Sequence, residues 1–354
     1  MDKRFALLVQ WVDAVLTHQQ LTSHPIEILE PVSGDASFRR YFRVRFTPPQ
    51  GDEQTLIAVD APPEKEDSAP FVKVAQALAS HGVNVPQLID VDLSQGFMLL
   101  SDLGNVLFLD YLTPDNVDQL YGEAMASLLT IQQCQFVDDS ALPDYDEALL
   151  LREMALFTDW FLARHLNMPL TDSQKTIVNN AFKYLCDSVL AQPRVTVHRD
   201  YHSRNLMRLD NQPPGIIDFQ DAVNGPITYD LVSLLRDCYC AWPKEQVKAW
   251  ALQFVGQLRK QSDIEVSDQQ FLEWFDLMGA QRHLKAIGIF ARLWYRDGKA
   301  VYLDDMPLTL NYLVQETAAD PQLQAFHQLL VGDILPLFEQ RYPDKATKLQ
   351  VRYS

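Results

Sequence analysis

The sequence predicts an α+β protein of two lobes, a small sheet-rich part at residues 1–104 and a larger, mainly helical part at 105–354. Three observations carry this. Between residues 26 and 101, short apolar runs alternate with turn residues, the pattern of strands. From residue 113 onward, apolar positions recur at helical spacing. One charged cluster, HRDYHSRN at 198–205, sits between two short apolar runs.

At the N-terminus, Phe5, Leu8, Val12 and Val15 form one stripe, predicting an amphipathic helix docked on the body. Gln10 and Asp13 interrupt its apolar stretch and no small-residue cleavage site follows, which argues against a signal peptide. IEILEPV (26–32), the turn SGDAS (33–37) and FRRYFRVRF (38–46) read as a hairpin. In its second arm Phe42, Val44 and Phe46 share one face, and Tyr41, Arg43 and Arg45 the other. TLIAVD (55–60) is a third strand. A helix is expected over 68–81, with Phe71, Val74, Ala75 and Leu78 inward and Gly82 as its stop. PQLIDVDL (86–93) and GFMLLSD (96–102) complete a five-stranded antiparallel sheet.

Thr113-Pro114 reads as a helix cap with a first-turn proline, followed by the stripe Val117, Leu120, Ala124 and Leu128. A second helix is expected over 147–165, with Leu150, Met154, Phe157 and Phe161 inward. A third spans 172–190, and a helical tail runs to about 341. LMRLDNQPPGII (206–217) reads as strand, turn, strand.

The chain is 47% hydrophobic over 354 residues, enough for a sizeable core, and carries a net charge of −17. So acidic a surface argues against nucleic acid as a partner. The four cysteines lack zinc-site spacing and suit a reducing, cytoplasmic compartment. No apolar run reaches the length of a membrane span.

The chemistry concentrates at 198–221. Asp200 and Asn205 lie on one loop, and Asp218 ends the run GIID. The expected hairpin brings Asn205 and Asp218 to adjacent strand ends. Carboxylate and amide oxygens suit Mg²⁺, which keeps several waters and takes one or two carboxylates plus phosphate oxygens. Asp200 is expected to turn toward an incoming hydroxyl.

HRDYHSRN followed by IDFQ resembles the catalytic loop and metal-binding aspartate of protein-kinase-like enzymes. With His202 after Asp200, Asp221 after the DF pair and the helix start Tyr229-Asp230-Leu231, it is more similar to the aminoglycoside phosphotransferase and choline kinase group. GDASFRRYFRV, DAPPEKED, LLSDLG, LREMALFTDWF and IGIFARLWYRDGKAVYL, in that order, extend the resemblance over most of the chain. Within the group they resemble the bacterial kinases that act on the anomeric hydroxyl of N-acetylmuramate and N-acetylglucosamine.

The resemblance implies a protein-kinase-like fold, ATP and Mg²⁺ as cofactors, and α-1-phosphates as products in the salvage of cell-wall sugars. Asp200 is then the residue that orients the hydroxyl and accepts its proton. Asn205 and Asp218 hold the metal, and Arg204 lies against the γ-phosphate. Ser33, Gly34 and Ser37 turn over the phosphates, and Ser101, Asp102 and Leu103 meet adenine. The family's third-strand lysine is missing, since Val59 and Asp60 stand in that region. Arg43 is the first candidate to replace it, with Arg40 and Lys65 behind. Sugar contacts are expected among Arg152, Glu153, His202, Arg292 and Asp297. His198, Arg199 and Asp221 are read as braces, and Asp230 as a helix cap.

The expected partner is a small amino sugar, with no nucleic acid, membrane or obligate protein partner. An alternative is a kinase of the same fold acting on an aminoglycoside, choline or homoserine hydroxyl. A protein kinase is disfavoured because IDFQ passes at once into GPITYDL, with no A-P-E segment. A non-catalytic binding module is disfavoured by the intact Asp200, Asn205 and Asp218.

Overall fold

The computed structural model describes residues 2–22, 26, 28–32, 38–136 and 141–349. The chain divides into two compact units. The first comprises Met1–Thr113, Phe136–Ala141 and Arg204–Ala222; the second comprises Pro114–Gln135, Leu142–Ser203 and Val223–Ser354. The hairpin after the charged loop therefore belongs with the N-terminal sheet, far from it in sequence.

In the first unit, helix α1 (Lys3–His18) is capped by Asp2, whose carboxylate accepts from the Arg4 and Phe5 N–H groups. Strands β1 (Ile28–Pro31), β2 (Arg40–Phe46), β3 (Gln54–Asp60), β4 (Leu88–Asp92) and β5 (Phe97–Ser101) form one antiparallel sheet in the order β1-β2-β3-β5-β4. The alternation of β2 places Phe42, Val44 and Phe46 in a core with Leu8, Val12 and Leu16 of α1. Each such side chain, fully buried, contributes about 1.5–3 kcal/mol. Tyr41, Arg43 and Arg45 take the other face. Helix α2 (Ala69–Ser80) buries Phe71, Val74, Ala75 and Leu78, as its periodicity predicts. A short helix α3 (Phe108–Tyr111) follows the connector.

Strands β7 (Leu206–Met207) and β8 (Gly215–Ile216) form the small hairpin of this unit. The Arg208 N–H donates to the Val106 carbonyl at 2.7 Å, and the Ile216 N–H to that of Asn84 at 2.8 Å. Phe71 of α2 stacks on Phe219 with centroids 4.9 Å apart.

The second unit is mainly helical. Helix α4 spans Val117–Gln133 with Asn116 at its N-cap. The Thr113 cap is not observed: residues 114–116 form a turn, and the helix starts where its buried stripe begins, at Val117. Helix α5 (Glu147–Leu156) continues as a π-helical segment, Phe157–His165, in place of the single helix expected. The change of pitch falls where Gly288 approaches: a Cβ there would lie 2.3 Å from the Leu156 carbonyl carbon, so close contact requires glycine. π-Segments commonly interrupt α-helices in this way. Helix α6 (Asp172–Leu190) starts with a Thr171–Gln174 capping box.

Strand β6 (Arg194–Val197) pairs antiparallel with β9 (Val223–Pro226). Helices α7 (Tyr229–Leu235), α8 (Lys244–Gln261), α9 (Asp268–Asp297) and α10 (Met306–Ala318) follow, with shorter turns to residue 346. No helix among the described residues is long and apolar enough to cross a membrane.

Candidate active site

In the first unit, the β7–β8 hairpin brings Asn205 and Asp218 together. The Ile217 N–H donates to the Asn205 carbonyl at 3.1 Å, and the Asn205 side-chain Nδ2 donates to Asp218 Oδ2 at 3.4 Å. The Gln220 amide donates to Asp218 Oδ1 at 2.7 Å; sequence reasoning missed this residue, although it stands within IDFQ. Asp218 has φ +67°, a left-handed conformation that is uncommon outside glycine and concentrates at functional positions. A carboxylate and a side-chain amide, whose oxygen is the ligating atom once the amide turns from its hydrogen bond to Asp218, are a donor set that fits Mg²⁺, completed by waters and phosphate oxygens. Among the described residues, no cluster of three His, Cys, Asp or Glu forms a metal cage. Arg204 lies half-buried in the turn before β7.

The connector after β5 is rigidly tied. The Gln87 N–H donates to Ser101 Oγ at 2.8 Å. Arg43 grips Asp102 through Nε at 2.5 Å and Nη2 at 3.0 Å, and also donates to the Gly104 carbonyl at 3.2 Å. Burial pushes the Asp102 carboxyl up, but Arg43, the Gly104 N–H and Thr55 outweigh it, and the net direction is down. Leu103 packs against Gly215, where a Cβ would lie 2.8 Å from its Cδ1.

The other cations expected near the phosphates are also engaged. Arg40 pairs with the fully buried Asp60 and with Asp2, and Arg4 joins Asp60 at 2.9 Å. Lys65 lies over the Phe38 ring, 5.0 Å from its centroid. Arg39, which sequence reasoning did not single out, is buried, 3.5 Å from Glu66 and over the ring of Phe71. Ser33, Gly34 and Ser37 lie outside the described residues.

In the second unit, two buried carboxylates set the charged loop. Asp230 accepts from the His198 and Arg199 N–H groups at 2.6 and 2.9 Å. It is therefore a brace of the loop and not the cap of α7, whose N-cap is Thr228. Burial pushes its carboxyl up to about 7, against these two hydrogen bonds. Asp237 accepts from the N–H and hydroxyl of Ser203 at 2.9 and 2.5 Å. Arg199 takes φ +79°, and the His198 ring accepts from the Asp200 N–H at 3.2 Å. Held in this way, Asp200 faces a cavity of about 90 Å³, whose wall includes His202, Tyr239, Arg282, Lys285 and Phe290. Burial would raise the Asp200 carboxyl, but Lys285, His202, His198 and Arg282 together hold it below its ordinary value, as carboxylate.

Behind this wall Glu153 is buried and fully engaged. It meets Arg199 at 2.6 Å, Lys285 at 3.1 Å and the Tyr145 hydroxyl. Lys285 also donates to the Tyr229 hydroxyl at 2.8 Å. Of the other residues expected near the sugar, Arg152 is exposed, Arg292 is half-buried, and Asp297 is exposed and paired with Arg296 at 2.8 Å. Arg282 and Lys285 were not anticipated. Their signal was present as QRHLKAIG, two cations three residues apart on one face of a helix.

The chain is 45% identical over 342 residues to the N-acetylmuramate/N-acetylglucosamine kinase of Pseudomonas aeruginosa, covering 94% of this chain and 97% of that protein. It is 40% identical to the protein of that name from Neisseria meningitidis, covering 84% and 88%. Among solved structures it resembles the Plasmodium vivax ethanolamine kinase, with a TM-score of 0.61 at 11% identity over 87% of this chain and 86% of that one. It also resembles the GDP complex of aminoglycoside 2'-phosphotransferase-IIIa, with a TM-score of 0.57 at 15% identity over 88% and 98%. These two likenesses show the α+β kinase-like fold that the sequence predicts. Residues 28–265 match the model of the phosphotransferase enzyme family, and the chain belongs to that family.

Proposed function

We propose that this chain transfers the γ-phosphoryl group of ATP to the anomeric hydroxyl of N-acetylmuramate and N-acetylglucosamine, giving the α-1-phosphates in the salvage of cell-wall sugars. The observation that carries the reading is Asp200: an ionised carboxylate on a cavity wall, on a loop fixed by Asp230 and Asp237. The names of the relatives supply the substrate class. An anomeric hydroxyl is more acidic than an ordinary alcohol. A carboxylate held low in pKa therefore suffices to orient it and take its proton, because positioning dominates in a loose phosphoryl-transfer transition state.

Asn205 and Asp218 would hold Mg²⁺, with Gln220 steering the carboxylate, and the bound metal would neutralise charge on the triphosphate. Arg204 lies against the γ-phosphate. Ser101, Asp102 and Leu103 frame adenine, with Arg43 acting through Asp102 to fix their backbone. Arg39, already ion-paired to Glu66, is the cation we assign to the place of the third-strand lysine.

A cationic acceptor such as choline or an aminoglycoside is disfavoured by Arg282 and Lys285 on the cavity wall. Turnover of ATP with a panel of amino sugars, aminoglycosides, choline and homoserine tests the reading. Phosphorus NMR of the product then distinguishes a 1-phosphate from a 6-phosphate. Activity confined to a non-sugar acceptor overturns the assignment.

A further inference from the structure

Among the buried cations of the second unit, Arg282 differs in what balances it. Its neighbours Arg199 and Lys285 both close on Glu153. Arg282 is 6% exposed, yet among the described residues no carboxylate lies within ion-pair distance of it. Its one hydrogen bond runs from Nη1 to Cys238 Sγ at 3.5 Å, and its buried Nε has no partner. Burial pushes the Cys238 thiol up, so the sulfur is a neutral and weak acceptor. A guanidinium stays protonated throughout the working pH range. A buried charge left this way is costly unless something in the functional state pairs with it.

The geometry says where that something must be. Arg282, Lys285, Ala286 and Ile289 lie on one stripe of α9 and line the cavity that Asp200 faces. The same wall carries Tyr239 and Phe290. The cavity thus combines a cation that Asp237 and Asp200 reach only from beyond ion-pair distance, a carboxylate for the reacting hydroxyl, and an apolar side. N-acetylmuramate carries a carboxylate on a short ether-linked lactyl arm bearing a methyl group; N-acetylglucosamine has neither. We propose that Arg282 is the specificity-determining residue that binds the lactyl carboxylate of N-acetylmuramate, as a charge-assisted pair in a mostly dry site. This rests on the sugar-kinase reading given above.

The test compares kcat/KM for the two sugars in the wild type and in Arg282→Met. The expected result is a fall of about 10- to 100-fold in the N-acetylmuramate to N-acetylglucosamine ratio, the range for one charge-assisted hydrogen-bonded contact. Arg282→Lys should restore part of the ratio. An equal loss on both sugars overturns the proposal and points to the phosphoryl group as the anion served.

N-acetylmuramate methyl ester closes a cycle that does not depend on the variant folding well. The wild type should discriminate against the ester by a similar factor, and Arg282→Met should add little further loss on it. If the wild type turns over acid and ester alike, the proposal fails while the kinase reading stands. If it turns over neither sugar, the kinase reading fails and takes this proposal with it.

Discussion

In the first unit, buried charges close on one another. Asp60 holds Arg4 and Arg40, and Asp102 holds Arg43 with two hydrogen bonds. In the second unit, the same burial produces closed clusters, Glu153 with Arg199, Lys285 and Tyr145 and Glu316 with Arg236 and His283, and, among the described residues, an open cation, Arg282, one turn before Lys285 in α9. Both regions remove charge from water, which is unfavourable unless partners compensate. The closed pairs fix strands, connector and loop. The open cation marks where the protein expects a ligand, and a count of charged residues alone would have treated the two alike.

The comparison breaks first at Asp200. Asp200→Asn keeps the size of the side chain but removes the proton acceptor, and turnover should fall by about 10²- to 10⁴-fold, with the thermal midpoint little changed. A loss below about tenfold would remove Asp200 from the chemistry. Next comes the Glu153 cluster of the second unit. Glu153→Gln leaves Arg199 and Lys285 facing a neutral amide, and chemical denaturation should show a loss of about 3–5 kcal/mol. A loss under about 1 kcal/mol would mean that water already compensates these cations.

In the first unit, Arg43→Ala, Asp102→Ala and the double variant form a cycle whose coupling energy should be about 1–3 kcal/mol, as for a partly buried hydrogen-bonded pair. Arg43→Ala should also raise the KM for nucleotide more than it lowers kcat. A near-zero coupling would show that the connector does not depend on the pair.

The smallest effect concerns a buried group with no charge of its own at neutral pH. His165 lies flat on Tyr342, centroids 4.1 Å apart, and burial pulls its pKa down to about 4. The unfolded chain retains the ordinary value near 6.5, so between these values it binds more protons than the folded chain. Stability contributed by the neutral ring is complete above about pH 6.5 and is lost as pH falls toward 4. From pH 7 to pH 5 the loss is about 2 kcal/mol. His165→Phe keeps the stack and should flatten that part of the stability–pH curve; an unchanged slope would assign the acid sensitivity elsewhere.

Much of this was legible before folding. The alternation of β2 and the stripes of α1 and α2 gave the sheet and its cover, because burial on one face imposes a period on the sequence. Asn205 and Asp218 were legible because a hairpin brings near neighbours together. The start of α4, the π-segment at Phe157–His165 and strand β9 were not. The first depends on which residues are buried. The second coincides with close contact at Gly288, 132 positions from Leu156 by their numbering. The third depends on a partner strand about thirty residues earlier. Asp230 looked like a cap because its position near a helix start is local, whereas the two N–H groups it accepts from are not.

The sequence by itself determined most of the elements, their order and the residue types of the charged loop, since local spacing and side-chain chemistry need no knowledge of distant contacts. Only the tertiary structure decided which charges are balanced. Arg43 and Arg282 are the same residue type, each within an element that buries part of its length. One meets a carboxylate 59 positions away along the chain, and the other meets a thiol. Electrostatic energy falls with distance in space and grows as water is excluded, and neither quantity exists until the chain has folded.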